Sequence, residues 1–358
     1  MTAGIWRVAI AASPDRATAH PGWHVSTIFG PGVVESITGV GRHDAWLAGV
    51  RSSSSGNSIF VQHWNGGTWQ PVPTPAAMQT EQGVVIAASS PSDTWVFSYT
   101  RPAITPGYSL GWHWNGRQWR DSKFGNGVSI AAASVLSTTD AWAFGESQLP
   151  SRQVPYAARY DGRGWRRVKV PLLVTAASAM SPDEIWIAGY VPGKSGSPVA
   201  VAKWTGRSWH VLTLPRLPVP KGGSYGWPSV LALTPTDIWT DFELRNSSQV
   251  TGVVLLHYGG SGWERVPVPY RSTGLGAMSA DGHGGIWITA VISGLPGSAI
   301  YDYRAGRWSR QATPVRRGVF AGLDSIASAP GSASAWAGGY AIDTSGADQH
   351  GLLFAHQG

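Results

Sequence analysis

One pattern recurs seven times along this chain of 358 residues, and no other feature limits the possible folds as strongly. Each copy carries a tryptophan, usually in an Asp-x-Trp phrase followed by small residues, and neighbouring copies lie 44 to 53 residues apart. The seven tryptophans are Trp46, Trp95, Trp142, Trp186, Trp239, Trp287 and Trp336. A period of this length is typical of β-propellers, in which every repeat forms one four-stranded blade.

A second phrase, aromatic-x-Gly-x-x-Trp, follows the first phrase in six of the copies. Its tryptophans are Trp69, Trp119, Trp165, Trp209, Trp263 and Trp308. The glycine often follows Asn or Asp, and such dipeptides favour the tight turn of a β-hairpin. The phrase therefore predicts a hairpin between the third and fourth strands of each blade.

A seventh copy of the second phrase is missing near the C-terminus, where the sequence stops at Gly358. A similar segment lies near the N-terminus, where Trp6-Arg7-Val8 has the Trp-Arg-x-Val character of the segment that begins at Trp165. We therefore predict that blade seven consists of residues of about 319–358 plus 4–12, so that the two termini pair and close the ring.

Together these phrases predict an all-β fold, a single seven-bladed β-propeller domain over residues 1–358 with four-stranded blades. The strands of blade two are expected near 84–89, 94–99, 109–115 and 118–124. Composition agrees, because only 13% of the residues are charged while Gly numbers 46 and Trp 20, which suits short strands and tight turns. The chain has no Cys, which excludes disulfides and thiolate metal sites.

The phrases resemble those of kelch and galactose-oxidase-like propellers, in which an aromatic residue and Gly-Gly end the second strand. Trp336-Ala337-Gly338-Gly339 matches that pattern best, whereas Gly49, Gly145 and Gly189 stand alone in their copies. The copper chemistry of the oxidases uses a cross-linked Cys, which this chain lacks. The whole chain resembles Trp-rich propellers of actinobacterial secreted proteins, among them the lectin-like subunits of umbrella-shaped toxin particles. This resemblance implies a secreted or extracellular protein, although the sequence contains no export signal.

Ligand-binding residues are expected on one face of the propeller. The loops between strands two and three share this face with the loops between blades, and they vary most in length; we call it the long-loop face, and the opposite one the tight-turn face. Variable loops on a rigid scaffold often carry binding residues, and aromatic and Arg side chains suit sugars or protein partners. The candidates are Trp23, Arg101, Tyr108, Arg152, Tyr225, Trp227, Tyr270, Arg271, Arg316 and Phe320. For Trp23 and Trp227, both placed in inserted loops, capping the end of the core is the alternative.

The sequence gives little indication of catalysis. Gly222–Gly226 matches the Gly-x-Ser-x-Gly motif, but a nucleophile elbow needs a strand–turn–helix context that is missing here. No cofactor or metal is expected, and the net charge of +7 is interpreted as a basic surface, not as a nucleic-acid site. The repeated aspartates are interpreted as turn formers; they are Asp93, Asp140, Asp183 and Asp237.

Three functions remain open at this stage. The favoured one is a non-enzymatic binding propeller that recognises a glycan or a protein partner through the long-loop face. The alternatives are a glycan-active hydrolase or lyase whose residues meet over the central channel, and a structural subunit of a larger secreted complex. No apolar run is long enough to span a bilayer, so no membrane span is expected.

Overall fold

The computed structural model describes most of the chain and leaves out the first 21 residues and several loop segments. The described ranges are 22–53, 56–81, 83–100, 107–194, 198–215, 217, 222–246, 249–268, 272–292, 297–315, 318–343 and 349–357. Within them lie seven antiparallel sheets of four strands each, which confirms the seven-bladed propeller. None of these residues belongs to a helix that could cross a membrane.

Every blade runs from an inner strand beside the central channel to an outer strand. Blades 1 and 2 consist of β2 (Val33–Gly41), β3 (Asp44–Ser53), β4 (Gly56–Trp64) and β5 (Trp69–Val72), then β6 (Val85–Ser90), β7 (Asp93–Thr100), β8 (Tyr108–Trp114) and β9 (Trp119–Lys123). Blades 3 and 4 consist of β10 (Val128–Ser137), β11 (Asp140–Leu149), β12 (Arg152–Tyr160) and β13 (Trp165–Val168), then β14 (Leu173–Ser181), β15 (Glu184–Tyr190), β16 (Val199–Trp204) and β17 (Trp209–Leu212). The strands of blade two agree with the sequence prediction to within one residue at each end.

The last three blades follow the same order. Blades 5 and 6 consist of β18 (Gly223–Thr234), β19 (Asp237–Asn246), β20 (Gln249–Tyr258) and β21 (Trp263–Val266), then β22 (Ser272–Ala280), β23 (Ile286–Ile292), β24 (Ser298–Arg304) and β25 (Arg307–Gln311). Blade 7 consists of β26 (Val319–Ser328), β27 (Ala335–Asp343), β28 (Gln349–Gln357) and β1 (Gly22–Pro31).

The strand that closes the ring is β1, and this corrects the sequence prediction. β1 pairs antiparallel with β28, with Trp23 opposite His356. The prediction placed residues 4–12 at this position; those residues lie outside the described part of the chain. Trp23 takes the place of the fourth-strand tryptophan, and Trp23-His24-Val25 repeats Trp209-His210-Val211 residue for residue. The ring is thus closed by both ends of the chain, as expected, but by a later segment.

The tryptophans of the two phrases form the packing between neighbouring blades. Trp95 in β7 of blade 2 is 2% exposed, and its ring lies edge-on to Tyr160 and Trp165 of blade 3, at 5.1 and 5.0 Å between centroids. Trp112, which lies outside the repeated phrases, is also buried. Large aromatic rings contribute much apolar area, so these contacts join the blades into one core.

On the tight-turn face a second contact repeats in blades 1 to 5, with an acid at the start of strand two and a base opposite it on strand three. In blade 2 the Nε2 atom of His113 lies 2.8 Å from Asp93 Oδ1, and the imidazole stacks on Trp95 at 4.4 Å. In blade 3 the Arg159 guanidinium binds both oxygens of Asp140 and lies over Trp142. The equivalent pairs are Asp44–His63, Glu184–Lys203 and Asp237–His257. Most of the repeated aspartates therefore bind a base across the sheet, and the interpretation as turn formers was incomplete.

Candidate functional site

A cavity of about 470 Å³ lies at the mouth of the central channel, within the size range of ligand pockets. Its wall consists of residues near the beginnings of the seven inner strands. Each inner strand begins where the chain enters from the preceding blade, and the wall residues lie in the first half and the middle of these strands. Most of the wall is therefore in the half of the channel nearer the long-loop face.

Bulges in the inner strands bring extra residues to this cavity. In six blades the pairing of the inner strand with strand two shifts register at the same level, shortly after the strand-two tryptophan. Bulges often redirect side chains beside functional sites. The residues skipped by the register are Glu35, Ala131, Thr175, Trp227 with Pro228, Gly276 with Ala277, and Asp324, and all of them line the cavity.

The single strand-two glycines of the repeat are explained by these bulges. At Gly49, a Cβ atom would lie 2.2 Å from the carbonyl oxygen of Val33 in the inner strand, and Gly145 is placed equally close to Ser129. The same approach occurs at Gly189 and Gly339. The register shifts by one residue in all six blades. In the two blades without this glycine, two inner-strand residues lie opposite one unpaired residue of strand two. The missing glycine in blade 5 therefore coincides with the bulge that carries Trp227.

Two carboxylates from adjacent blades lie in the cavity wall. Glu35 of blade 1 is half-buried, and its Oε2 atom accepts a hydrogen bond from the backbone N–H of Val84 at 2.6 Å. Burial raises the pKa of Glu35, the Val84 hydrogen bond opposes this, and the charge of Asp324 adds to the rise. Asp324 of blade 7 is open to the channel but surrounded by protein, and this loss of bulk water raises its pKa to about 6.

Trp227 belongs to blade 5, two blades from Asp324 and three blades from Glu35 around the ring. Its side chain is 67% exposed, and its φ of 45° is a backbone conformation that bulky residues rarely adopt. Blade 4 holds this backbone at two points: the N–H of Trp227 donates to the Tyr190 hydroxyl at 2.8 Å, and the Thr175 hydroxyl donates to the carbonyl of Pro228 at 2.5 Å. An exposed indole on a strained backbone that hydrogen bonds hold in place is a typical feature of a binding site.

Gly226, the residue before Trp227 in β18, lies against an ion pair. Arg245 and Glu243 of β19 lie 2.7 Å apart, and a Cβ atom on Gly226 would meet the Arg245 Nε atom at 2.5 Å. Only glycine fits at position 226 without displacing this ion pair. Contacts with blade 4 on one side and with the Arg245–Glu243 ion pair on the other therefore hold the backbone of the bulge at Trp227.

A fully buried carboxyl group, Asp241, lies behind the wall beside Ser229. Burial raises the pKa of Asp241 to about 8, Ser229 opposes the rise, and Glu243 adds to it. The Ser229 hydroxyl is close enough to lower the pKa of Asp241, but Asp241 Oδ2 and Ser229 Oγ make no hydrogen bond of normal geometry with a described residue. At neutral pH the carboxyl is therefore largely neutral, which avoids a buried unpaired charge.

The structure distributes the residues predicted from sequence over very different environments. Trp23 lies in strand β1, not in an inserted loop, and its ring is buried against Trp287 at 5.5 Å, so it has no free face for a ligand. Tyr225 lies in β18 and is buried edge-on against Phe242. Trp227 also lies in β18, so the placement of all three residues in inserted loops was wrong. Trp227 alone among these aromatic candidates is both widely exposed and in the cavity wall.

The remaining candidates lie away from the cavity wall or outside the described residues. Tyr108 begins β8, and the Lys123 ammonium group covers its ring at 3.8 Å. Arg152 is exposed at the start of β12, and Phe320 is exposed in β26 near Tyr340. Arg101, Tyr270, Arg271 and Arg316 lie outside the described residues.

Sequence reasoning missed Glu35, Asp324, Tyr190 and Asp241. One signal for Asp241 was available: two residues after the strand-two tryptophan, the other blades carry Ala48, Phe97, Phe144, Ala188, Thr289 and Gly338. None of these residues is charged, so the carboxyl group of Asp241 is an exception at this core position of the repeat. Glu35 and Asp324 had no comparable signal, because the level of each bulge depends on strand pairing. Among the described residues, no cluster of His, Asp and Glu could hold a metal ion.

A scan against protein-family models and a search of curated protein sequences found no match to this chain. Solved structures do share its fold. A xyloglucanase from Xanthomonas campestris is 14% identical with a TM-score of 0.58; the match covers 91% of this chain but only 54% of the xyloglucanase. An ulvan lyase bound to a GlcA–Rha3S saccharide is 11% identical with a TM-score of 0.62, over 94% of this chain and 97% of the lyase.

A third similar structure differs in how its ring is closed. The β-propeller domain of a trilobed protease from Pyrococcus furiosus, described as having an open velcro topology, is 10% identical with a TM-score of 0.58, over 92% of this chain and 96% of that domain. In the present chain β1 pairs with β28 inside blade 7. At these identities the similarities establish the propeller fold and nothing more specific.

Proposed function

We propose that this protein is a binding propeller that recognises a saccharide at the channel mouth on its long-loop face. The observation that carries the proposal is Trp227, an exposed indole in a strained backbone at the rim of the cavity. Sugar rings stack on such flat aromatic faces, and the carboxylates of Glu35 and Asp324 can accept hydrogen bonds from hydroxyl groups. The sugar-active proteins among the structural neighbours support a carbohydrate ligand. The resemblance to secreted lectin-like propellers supports a role outside the cell, in a larger assembly.

A glycan array followed by isothermal titration with the best ligand tests this proposal. Trp227→Ala should weaken binding about tenfold, which corresponds to about 1.4 kcal/mol, whereas Trp227→Phe should keep most of the affinity. Val211→Ala is the matched control, because Val211 is an exposed apolar residue on outer strand β17. The proposal fails when no glycan binds the wild-type protein or when Trp227→Ala binds as tightly as wild type.

The carboxylate pair favours a second candidate function, glycoside hydrolysis. Glycosidases commonly use two carboxyl groups, one that donates a proton to the glycosidic oxygen and one that accepts a proton from water. Burial raises the pKa values of both Glu35 and Asp324, and a raised pKa suits the proton donor. Release of new reducing ends from a polysaccharide panel, lost in Asp324→Asn, would establish this activity; an inactive wild-type protein would exclude it for the polysaccharides tested.

A further inference from the structure

The charge of the channel mouth is opposite to the charge of the whole protein. The chain carries a net charge of +7. Among the described residues of the cavity wall, the charged ones are Glu35 and Asp324, and none is Lys, Arg or His. The Arg245–Glu243 pair beside Gly226 is neutral in total. Because low-dielectric walls concentrate the field of the charges that line them, the described part of the cavity wall favours a cationic group over an anionic one.

The two carboxylates differ in how free they are to bind a ligand. The backbone N–H of Val84 occupies Glu35 Oε2 and fixes the orientation of that carboxylate, so only its other oxygen remains. Asp324 has no hydrogen-bond or ion-pair partner among the described residues, and it sits on a bulge that projects it into the channel. Asp324 can therefore accept hydrogen bonds from a ligand with both of its oxygens.

A buried hydroxyl beside Asp324 also lacks a partner. Ser325 is 7% exposed and forms part of the cavity wall, and its Oγ atom makes no hydrogen bond with any described residue. Buried polar groups are rarely left without a partner, so such a group at a cavity wall points to a missing ligand or water. Ser325 pairs with Gly338, whose Cα faces Val34 and Ile37 of blade 1, so the hydroxyl lies at the boundary between the blades that carry the two carboxylates.

We infer that the channel mouth binds a sugar with a free amine, a hexosamine unit whose ammonium group contacts Asp324 and Glu35 while a ring of the same chain stacks on Trp227. The inference rests on the proposed function and names its ligand class. An ammonium group donates three hydrogen bonds, which suits the two oxygens of Asp324 and the free oxygen of Glu35. These groups and Trp227 line the same cavity, so one saccharide chain bound there can contact both. A lysine side chain has the same charge but no ring to stack on the indole.

Titration calorimetry with three probes tests the inference. The probes are a glucosamine tetramer, the N-acetylglucosamine tetramer, which has the same skeleton without the charge, and trilysine. Wild-type protein should bind the free-amine tetramer about tenfold more tightly than its acetylated form at low salt, as expected for a charge-assisted hydrogen bond. The preference should shrink as salt is added.

Three variants then identify the source of that preference. Asp324→Asn should abolish it while leaving the acetylated tetramer bound, and Glu35→Gln, which keeps an oxygen for the Val84 N–H, should reduce it. Glu264→Gln is the control, because it removes the same charge from an exposed position on outer strand β21, and it should keep the preference. Circular dichroism confirms that each variant is folded.

Several outcomes would overturn the inference. Equal binding of the two tetramers, with both weakened by Trp227→Ala, would leave the proposed function standing and remove the amine specificity. Trilysine binding as tight as that of the free-amine tetramer, and independent of Trp227, would assign the site to a basic peptide. Binding of no saccharide at all would remove both the proposed function and the inference.

Discussion

At the tight-turn end of the propeller, five blades repeat one contact, in which a basic side chain lies between a tryptophan and a carboxylate. At the long-loop end, the residue at the inner-strand bulge changes from blade to blade, from Ala131 to Thr175 to Trp227 to Asp324. The repeated contacts join strands two and three within each blade, so selection for stability explains them. The bulge residues line the cavity and differ from blade to blade, although Glu35 and Thr175 also bind the neighbouring blade. Departures from the repeat, more than the repeat itself, therefore define the candidate site.

Truncating one tryptophan at each end should give the largest contrast. Trp95→Ala removes a buried ring that contacts His113, Tyr160 and Trp165, and it should lower the free energy of unfolding by about 3–5 kcal/mol. Trp227→Ala removes an exposed ring and should change it by less than about 1 kcal/mol. Urea unfolding of both variants measures the difference. Similar losses in the two variants would mean that Trp227 belongs to the core, and the contrast between the ends would disappear.

The buried carboxyl behind the channel wall should make stability depend on pH. Asp241 has a folded-state pKa of about 8, above the value of about 4 for an unfolded Asp, so the folded protein holds a proton that the unfolded chain releases. This contribution to stability is complete below about pH 4 and is lost as pH rises through about 8. Asp241→Asn carries no such proton, and it should be more stable than wild type by up to roughly 5 kcal/mol at alkaline pH.

Unfolding curves between about pH 4 and pH 9 test this behaviour. The difference in stability between Asp241→Asn and wild type should grow steadily with pH across that range. Asp140→Asn is the comparison at the tight-turn end, because it breaks the ion pair with Arg159 and should destabilise the protein at neutral pH instead. A constant difference for Asp241→Asn over the whole range would show that Asp241 is ionised in the folded protein.

The smallest expected effect concerns the support of Trp227. Tyr190→Phe removes the hydroxyl that accepts the N–H of Trp227, and it should cost about 1 kcal/mol of stability or less. Saccharide affinity should fall a few-fold, because the indole is no longer fixed before binding. Calorimetry of this variant beside Tyr108→Phe, a change in strand β8 outside the cavity wall, provides the check. Unchanged affinity in Tyr190→Phe would show that the hydrogen bond from the Trp227 N–H to the Tyr190 hydroxyl plays no part in binding.

The repeat was enough to predict the seven blades and the strands of blade two, because tryptophan spacing and hairpin glycines are local signals. It was not enough to choose the closing strand. The segments at Trp6 and Trp23 both resemble a fourth strand, and only pairing with β28 distinguishes them. Of the residues in the cavity wall, sequence reasoning named Trp227 as a candidate but missed Glu35 and Asp324. Their positions depend on bulges, and a bulge is fixed by the register between strands that one sequence does not display.

The most direct test of a binding site at the channel mouth is ¹⁹F NMR of protein labelled with 5-fluorotryptophan, which reports on all 20 tryptophans at once. The Trp227 resonance is assigned by its absence from Trp227→Phe. Addition of the saccharide should shift this resonance most, while those of the inter-blade tryptophans, such as Trp95 and Trp142, stay in place. A saccharide that binds and shifts other resonances while leaving Trp227 unmoved would place the binding site elsewhere and contradict the account.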